Sequence, residues 1–590
     1  MKPSRLTTLA TVFALFAGLS PAGETPQSDK AADQRGAAVS NEQNATEIDL
    51  LKKQLAEQQK QIEDLRLIVL GQKKQIDNVT KKEAVTVTVP SAVAPSAATS
   101  TQVASTVPYI PSTVLAKASP LPPVIPFPVT PPPQKSPGKD AANPCEAAGE
   151  AQSPTFIHIG DTCLVPVGFM DFTSIWRDKN AASGIGSNFG NIPFNNATAG
   201  MLSEFRFSPQ NSRLGFRFDG SWKGAHFMAY NEFDFLGTSG TNNLGVTNGA
   251  FVPRIRLFWV DVRKDNLEFL AGQSWSLLTP NRTGLSALPG DLFYSQAIDV
   301  NYMAGLTWSR QPGARILYHA MNDKFTAGIS FENPDQYIGG SGGSSATAVT
   351  LPAAAALSGI GGTQVDNATN VLNTPNLKPD IIAKIAFDPS KRFHFEVGGV
   401  ERTFKIYDSA TRSYSTKEGA GVLIGANGEI AKGLRLISTN FWSDGGGRYL
   451  FGQAPDFMVR ADGSISPIHA GGTVDGFELT VKKNTLLYAY YGAYYIGKDT
   501  ALDANGTTKI GYGYAGSANS DNRAIQEISF GFNETIWKSA RYGAINFMGQ
   551  YEYLTRDPWA VLTGQPKAAH DNSLYFNVRY TLPGSMPPIK

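Results

Sequence analysis

The pattern that most constrains the fold is an alternation of polar and apolar side chains that recurs between Ser212 and Trp308. It runs through SRLGFRF, AHFMAYNEFDFLG, FVPRIRLFWVDVR and LEFLAGQSWS, which are joined alternately by tight turns and long loops. Strands with polar residues on one face and aromatic residues on the other are typical of a membrane-spanning antiparallel barrel. A soluble β-sandwich also has period-2 strands, but it lacks this strict alternation of long and short connections.

The same pattern continues to Leu582 and yields about sixteen candidate strands. The predicted fold class is all-β, a transmembrane antiparallel β-barrel over residues 155–582 with a short tail at 583–590. Asn301–Arg310 and Ala314–Phe331 each count as one strand, with a short connection at Pro312. An even count with both chain ends on the short-turn side places the preceding residues in the periplasm.

Composition excludes other classes of protein. The mean hydropathy is −0.19 and the net charge is +2. No apolar run of helix-spanning length follows the N-terminus, which excludes a polytopic helical membrane protein. The near balance of charge gives no reason to expect a nucleic-acid partner.

Residues 1–22 resemble an export signal, since Lys2 and Arg5 precede the apolar stretch Leu6–Leu19 and a small-residue cleavage site follows. A short membrane anchor is the alternative, but the apolar stretch is too short to span. Residues 23–45 are expected to be disordered. Export combined with a barrel indicates the bacterial outer membrane.

Residues 46–83 contain a heptad pattern that predicts a periplasmic α-helical coiled coil. A single isolated helix is the alternative, and the heptads leave the number of strands open. Residues 84–154 are rich in proline and predict an extended linker. The coiled coil could also contact peptidoglycan. The seam is formed by Ile48, Leu51, Leu55, Ile62, Leu65, Val69 and Ile76.

The chain has two cysteines, Cys145 and Cys163, which bracket the entry to the first strand. In an exported protein with no accompanying Cys/His cluster, this pair predicts a disulfide rather than a metal site.

Short motifs give no support for catalysis or for a cofactor. The glycine-rich segments at 339–343 and 511–516 match a nucleophile elbow and a dinucleotide fingerprint only formally, because neither has the required strand–turn–helix setting. The histidines lack metal-ligand spacing. A barrel-embedded hydrolase would need a Ser/His pair that the sequence does not offer, so we expect no enzyme.

Arginines share strand parity opposite the aromatic residues, and they are therefore predicted to face the lumen. On this parity Ile255 and Leu257 face lipid. Clustered guanidinium groups would form a basic constriction that attracts anions. A charge-balanced wall is the alternative, since Glu204, Asp219, Glu232 and Asp234 lie nearby. The loop Leu277–Asp299 is long enough to fold inward. The candidate pore-lining residues are Arg206, Arg213, Arg217, Arg254, Arg256, Arg282 and Asp291.

The segments SRLGFRF, NEFDFLG, RIR and LAGQSWS, in this order after an N-terminal heptad region, resemble the DcaP-like family of outer-membrane porins. The resemblance implies a homotrimeric, sixteen-stranded channel with a periplasmic coiled coil. It also implies a preference for small organic anions such as dicarboxylates, and it makes Arg213, Arg217, Arg254 and Arg256 candidate pore residues.

The sequence thus predicts an outer-membrane porin in contact with membrane lipid, through which small hydrophilic solutes diffuse passively. The alternative is a structural tether between the outer membrane and the cell wall, with a plugged barrel.

Overall fold

The computed structural model describes residues 153–585, apart from 161, 182–183, 188, 238–250, 289–302, 340–348, 368–376 and 518–520. The predicted signal, disordered segment and coiled coil, and nearly all of the linker, lie outside the described residues. Among the described residues, no helix has the length and apolar character needed to cross a membrane.

The wall is a closed barrel of sixteen antiparallel strands, numbered β1 to β16 in chain order. Each strand pairs with the next, and β16 pairs with β1 through Phe169–Arg177, which closes the ring. This confirms the predicted barrel and strand number. The bounds are β1 Thr162–Arg177, β2 Arg213–Trp222, β3 Ala225–Gly237, β4 Val252–Lys264, β5 Leu267–Trp275, β6 Arg310–Ala320, β7 Phe325–Glu332, β8 Asp380–Ser390, β9 Phe393–Asp408, β10 Ser413–Ala431, β11 Leu434–Asp444, β12 His469–Lys482, β13 Thr485–Ile496, β14 Asn522–Ser539, β15 Gly543–Pro558 and β16 Ala569–Thr581.

Connections at one end of the barrel, called the turn end, are tight, whereas those at the other, the loop end, are mostly long. The turn between β2 and β3 is two residues, Lys223 and Gly224, both with positive φ. This backbone suits the right-handed twist of a hairpin. One loop-end connection, residues 409–412, is also short. Both Thr162 and Thr581 lie at the turn end, as the sequence predicts.

Short strands complete the wall beside β1. Glu204–Ser208 pairs with the loop-end half of β1, and β2 pairs with its turn-end half. The interruption at 209–212 therefore divides what is in effect one long neighbour of β1 into two pieces. A further short strand, Ile157–Ile159, pairs with the start of β1.

Apolar side chains cover the outside of the wall. Phe216, Phe258, Ile316 and Ile385 all expose about half of their surface. Their neighbours one position along the strand are buried inside. This is the alternation expected of strands that face lipid on one side and a lumen on the other.

One residue breaks the predicted parity. Leu257 is fully buried inside the barrel rather than facing lipid. The ladder between β3 and β4 shifts at this point, since Glu232 pairs with Leu257 and Phe233 pairs with Ile255. The extra residue, Arg256, forms a β-bulge that places two successive side chains inside. The expectation for Leu257 is therefore wrong.

Two predicted strands are also wrong. The described part of Asn301–Arg310 is not a strand until Arg310 itself. Ala314–Phe331 is a hairpin with its turn at Met321–Lys324, and Pro312 lies within β6. The two errors compensate, which is why the predicted strand number still agrees.

Loops from the loop end fill a large part of the interior. The largest buried apolar cluster contains more residues from loops than from barrel strands. Its loop residues include Phe189, Leu278, Ile338, Tyr449 and Tyr512. These residues come from five different loops. The barrel is therefore packed with its own chain at this end.

Candidate functional site

The inward face of β3 and β4 carries a network of two guanidinium and two carboxylate groups. Arg254 donates two hydrogen bonds to Asp234, from Nε at 3.0 Å and from Nη2 at 2.7 Å. Arg256 donates from Nε to Glu232 at 2.7 Å and from Nη1 to Asp234 at 2.8 Å. The hydroxyl of Tyr230 donates to Glu232 at 3.1 Å. The network is formally neutral.

Neighbouring arginines also lie beside carboxylates. Arg217 Nη2 is 2.6 Å from Asp219, and Arg206 Nη2 is 2.7 Å from Glu204. Arg213 is buried on the same face of β2. The contacts on this wall therefore fit the charge-balanced alternative better than an excess of positive charge.

Exposure distinguishes the arginines from one another. The side chains of Arg206 and Arg254 are 44% and 41% exposed, whereas that of Arg256 is 3% exposed. Arg206 and Arg254 therefore have accessible guanidinium groups, whereas that of Arg256 is buried in its ion pairs with Glu232 and Asp234.

The first half of the loop after β5 crosses the lumen. Arg282 donates from Nη1 and Nη2 to Glu478 at 3.1 and 2.5 Å. Glu478 lies on β12, seven strands from β5 in a ring of sixteen, and is therefore almost diametrically opposite. Tyr490 donates its hydroxyl to the same carboxylate at 2.7 Å. A forked guanidinium–carboxylate contact of this kind fixes orientation as well as position.

The crossing segment is also held by side chains of β8 and β9. The backbone N–H of Asn281 donates to Glu396, at 3.3 and 3.1 Å to its two oxygens. Lys384 Nζ lies 2.8 Å from Glu396, and both side chains are almost fully buried. The backbone N–H of Gly284 donates to Asp388 at 2.9 Å. These contacts keep residues 281–284 against β8 and β9, three and four strands from β5, where the loop begins.

The returning part of the loop lies against β12 to β14. The backbone N–H of Ala304 donates to Glu527 on β14 at 2.7 Å. Gly305 has φ +92°, and a Cβ there would lie 1.9 Å from the carbonyl oxygen of Thr473. Only glycine permits so close an approach of two backbones. The described parts of the loop on both sides of 289–302 are thus fastened to the far wall.

A cavity of about 520 Å³ lies at the turn end of the lumen. Its lining combines Trp259, Asp261 and His319 from the wall with Leu285 from the crossing loop and Lys324 from a turn. The loop after β5 therefore leaves open space between itself and the wall at this end of the lumen.

A charged cluster joins the loops at the loop end. Arg402 donates from Nε to Asp380 at 3.0 Å, and its Nη1 lies 2.6 Å from Asp456. The hydroxyl of Tyr449 donates to Asp380 at 2.9 Å. Burial raises the pKa of Asp335, in the same region, to about 6. These contacts attach the loops containing residues 333–339 and 445–459 to the wall.

Only some of the predicted site residues lie within the described part of the chain. Asp291 and the coiled-coil seam lie outside the described residues. Cys163 is disulfide-bonded, while Cys145 lies outside, so their pairing stays a prediction. Within the described ranges, no group of His, Cys, Asp and Glu side chains is arranged to hold a metal ion.

Sequence reasoning missed Lys384, Glu396 and Glu478, which hold the crossing loop. The alternation in β8, β9 and β12 contained the signal, because each charged residue has the parity of buried neighbours rather than that of exposed aromatics. What the alternation does not contain is the identity of the loop that they contact.

Comparison with known proteins finds a similar fold at low sequence identity. The DcaP outer-membrane channel of Acinetobacter baumannii is 17% identical, with 71% of this chain and 97% of that chain covered and a TM-score of 0.51. An anion-selective porin from Comamonas acidovorans is 13% identical over 71% of this chain and 100% of that chain, with a TM-score of 0.40. No family model and no curated protein matches. The similarity to DcaP confirms at the level of fold the resemblance seen in the sequence.

Proposed function

We propose that this chain is an outer-membrane porin through which small hydrophilic solutes diffuse passively. The observation that carries the proposal is the loop after β5, which leaves one wall and is attached by Arg282 to Glu478 on the opposite wall. A segment placed across the bore restricts it without closing it by itself, as a diffusion channel requires. The DcaP-like fold supports the same function.

Conductance in planar lipid bilayers tests the proposal. Purified, folded protein should produce stepwise currents that rise with salt concentration, because an aqueous lumen conducts bulk ions. The control is the same preparation after heat unfolding, which should give no steps. Folded barrels that leave the bilayer insulating would contradict a porin.

We extend the proposal to selectivity, with a weak preference for small organic anions such as dicarboxylates. Arg206 and Arg254 support it, since both combine a lumen-facing position with an exposed guanidinium group. Guanidinium groups bind carboxylates through two parallel hydrogen bonds. Because Asp234 and Glu204 accompany them, the preference should be small.

The remaining parts of the proposal concern location and assembly. An outer-membrane location follows from the predicted export signal together with the apolar outer wall. The predicted seam favours self-association with the coiled coil in the periplasm, and the resemblance to the DcaP-like porins makes a homotrimer the proposed assembly. No enzymatic activity is part of the proposed function.

A structural tether is the second candidate, because the loops at the loop end pack into one apolar cluster inside the barrel. A tether predicts a barrel that does not conduct and a peptidoglycan contact through residues 23–144. The same bilayer experiment separates the two candidates, and a peptidoglycan pull-down tests the tether directly.

A further inference from the structure

Basic side chains are concentrated in the tight turns at the turn end. Each of the seven hairpin turns there, all within the described residues, contains a lysine or an arginine or directly adjoins one. Because each turn joins a different pair of neighbouring strands in a closed barrel, these exposed side chains are distributed around the rim. The members of this basic ring are Lys223, Lys264, Lys324, Lys391, Arg392, Lys432, Lys482, Lys483, Lys538 and Arg541.

The charge of the basic ring is largely unbalanced. Two exposed carboxylates, Asp265 and Asp323, lie in the same turns, and Asp323 is already 2.5 Å from Arg263. Arg392 lies 3.9 Å from Glu429. None of the lysines in the ring forms an ion pair within the described part of the chain. The chain as a whole has a net charge of only +2, so the excess of positive charge is local to this rim.

Exposed aromatic side chains border the basic ring. Trp222 directly precedes Lys223 and exposes 64% of its surface, and Lys223 Nζ lies 4.4 Å from the centre of the indole ring. Tyr542 follows Arg541 and is 50% exposed, with Arg541 Cζ 5.6 Å from the centre of its ring. Exposed tryptophan and tyrosine are typical of the level where hydrocarbon meets the lipid headgroups. The basic ring therefore lies at the level of the phosphate groups of one leaflet.

This level favours lipid headgroups as the binding partner. Clustered lysine and arginine side chains near a membrane surface attract anionic phospholipids, whereas zwitterionic phospholipids carry no net charge. A lysine stem can lie along apolar surface while its ammonium group reaches a phosphate. A small soluble anion would contact few of these groups at once, because they are spread around the rim rather than gathered in one pocket.

We propose that the basic ring binds the phosphate groups of anionic phospholipids in the leaflet at the turn end. In the proposed orientation this leaflet faces the periplasm. The inference rests on the membrane location in the proposed function, and it adds the class of lipid that this end of the barrel prefers. It does not depend on which solute passes through the lumen.

Spin-labelled lipids test the inference with the full chain. The protein is reconstituted in phosphatidylcholine vesicles that contain a trace of spin-labelled phosphatidylglycerol or of spin-labelled phosphatidylcholine. The motionally restricted share of each label reports how strongly the barrel binds that lipid. Folding of every variant is checked by heat-modifiable gel migration.

Two variants with the same loss of formal charge separate the ends of the barrel. The turn-end variant combines Lys432→Gln, Lys482→Gln, Lys483→Gln and Lys538→Gln. The control variant makes the same kind of change at exposed lysines of the loop end, namely Lys417→Gln, Lys498→Gln, Lys509→Gln and Lys567→Gln.

The unmodified chain should bind phosphatidylglycerol about twofold or more in preference to phosphatidylcholine at low salt. The preference should fall toward one in ~1 M salt, where the Debye length is about 3 Å. The turn-end variant should lose most of the preference, and the control variant should keep it. An unmodified chain without a preference would overturn the inference, as would an equal preference in the two variants.

Two further measurements separate this inference from its neighbours. Binding to purified peptidoglycan that is lost only in the turn-end variant, with an unchanged lipid preference, would assign the ring to the cell wall and overturn the inference. Bilayer conductance of the same preparations reports on the porin function. Conducting barrels without a lipid preference would contradict the inference alone, whereas insulating barrels with the preference would contradict the porin alone.

Discussion

At the scale of single residues, the inward face of β2 to β4 carries paired charges rather than an excess of one sign. The arginine row of β2 to β4 could be read from strand parity alone. Its neutralisation could not, because an ion pair depends on which carboxylate the register of the neighbouring strand places opposite. Asp234 shows this, since it contacts both Arg254 and Arg256 across one ladder.

Charge substitutions in this network should move ion selectivity in opposite directions. Arg254→Gln makes the network net negative, whereas Asp234→Asn makes it net positive. Reversal potentials in a salt gradient should therefore shift toward cation preference for the first variant and toward anion preference for the second. If neither variant moves the reversal potential, the network does not face the conduction path.

Removal of the cation at Lys384 should destabilise the barrel strongly. Lys384→Met removes the ammonium group from buried Glu396, which keeps only His394 and the Asn281 N–H as partners. Breaking one side of a buried pair costs about 3–5 kcal/mol, and the remaining contacts place the expected loss at the low end of this range. The free energy of unfolding from lipid vesicles measures the effect. The double variant with Glu396→Gln should recover a large part of the loss, and an equal loss in both variants would contradict the pairing argument.

Protonation of Asp335 should stabilise the loop cluster at low pH. Because burial raises its pKa to about 6, the folded state binds this proton more tightly than the unfolded chain does. The stabilisation is therefore complete below about pH 4 and is lost as the pH rises through 6. Arg448, Arg402 and Asp366 act on the same carboxyl group.

Hydrogen exchange measures this effect. After correction for intrinsic rates, backbone amides in 333–339 should exchange faster at pH 7.5 than at pH 5, and Asp335→Asn should remove the difference. A difference that persists in this variant would assign the pH dependence to another group.

At the scale of elements, the sequence predicted the wall well and its irregularities poorly. Period-2 alternation reports which face of a strand is buried, so most strands were found. It fails at Arg256, where a bulge changes the parity of everything that follows, and it fails at Met321–Lys324. That turn contains neither glycine nor proline, and three of its residues, Met321, Asn322 and Asp323, adopt positive φ.

Single-residue deletions in β4 should have different effects on barrel assembly at the bulge and in the regular part of the strand. Removing Arg256, together with Glu232→Gln to avoid an unpaired carboxylate, leaves Ile255 outside, Leu257 inside and Phe258 outside. This variant should assemble, as judged by heat-modifiable migration. Deletion of Trp259 would turn Asp261 toward lipid and should prevent assembly. Equal assembly of the two variants would contradict the assigned bulge.

At the scale of the whole molecule, the predicted coiled-coil seam concerns association, and the loop after β5 concerns the width of the bore. The crossing loop could be anticipated from its length but its anchors could not, because they come from strands that are remote in sequence. Long-range contacts of this kind leave no local periodicity.

Substitution of the seam should weaken assembly without changing the channel itself. Leu55→Asp with Leu65→Asp places charge at two core positions of the predicted coiled coil. We expect a lower thermal midpoint for dissociation of the oligomer on gels, with unchanged conductance per barrel. Ser28→Asp with Ser40→Asp, outside the heptads, is the matched control. An unchanged midpoint would remove the coiled coil as a source of stability.

The attachment of the loop after β5 to the far wall has a consequence for how the solute size limit can change. Sixteen strands set an upper bound on the width of the bore, but the free width depends on how far the loop extends beside Glu478 and Glu527. Insertions or side-chain changes in that loop can therefore widen or narrow the passage while every strand pairing stays the same. Related barrels of identical strand number could in this way admit very different molecules.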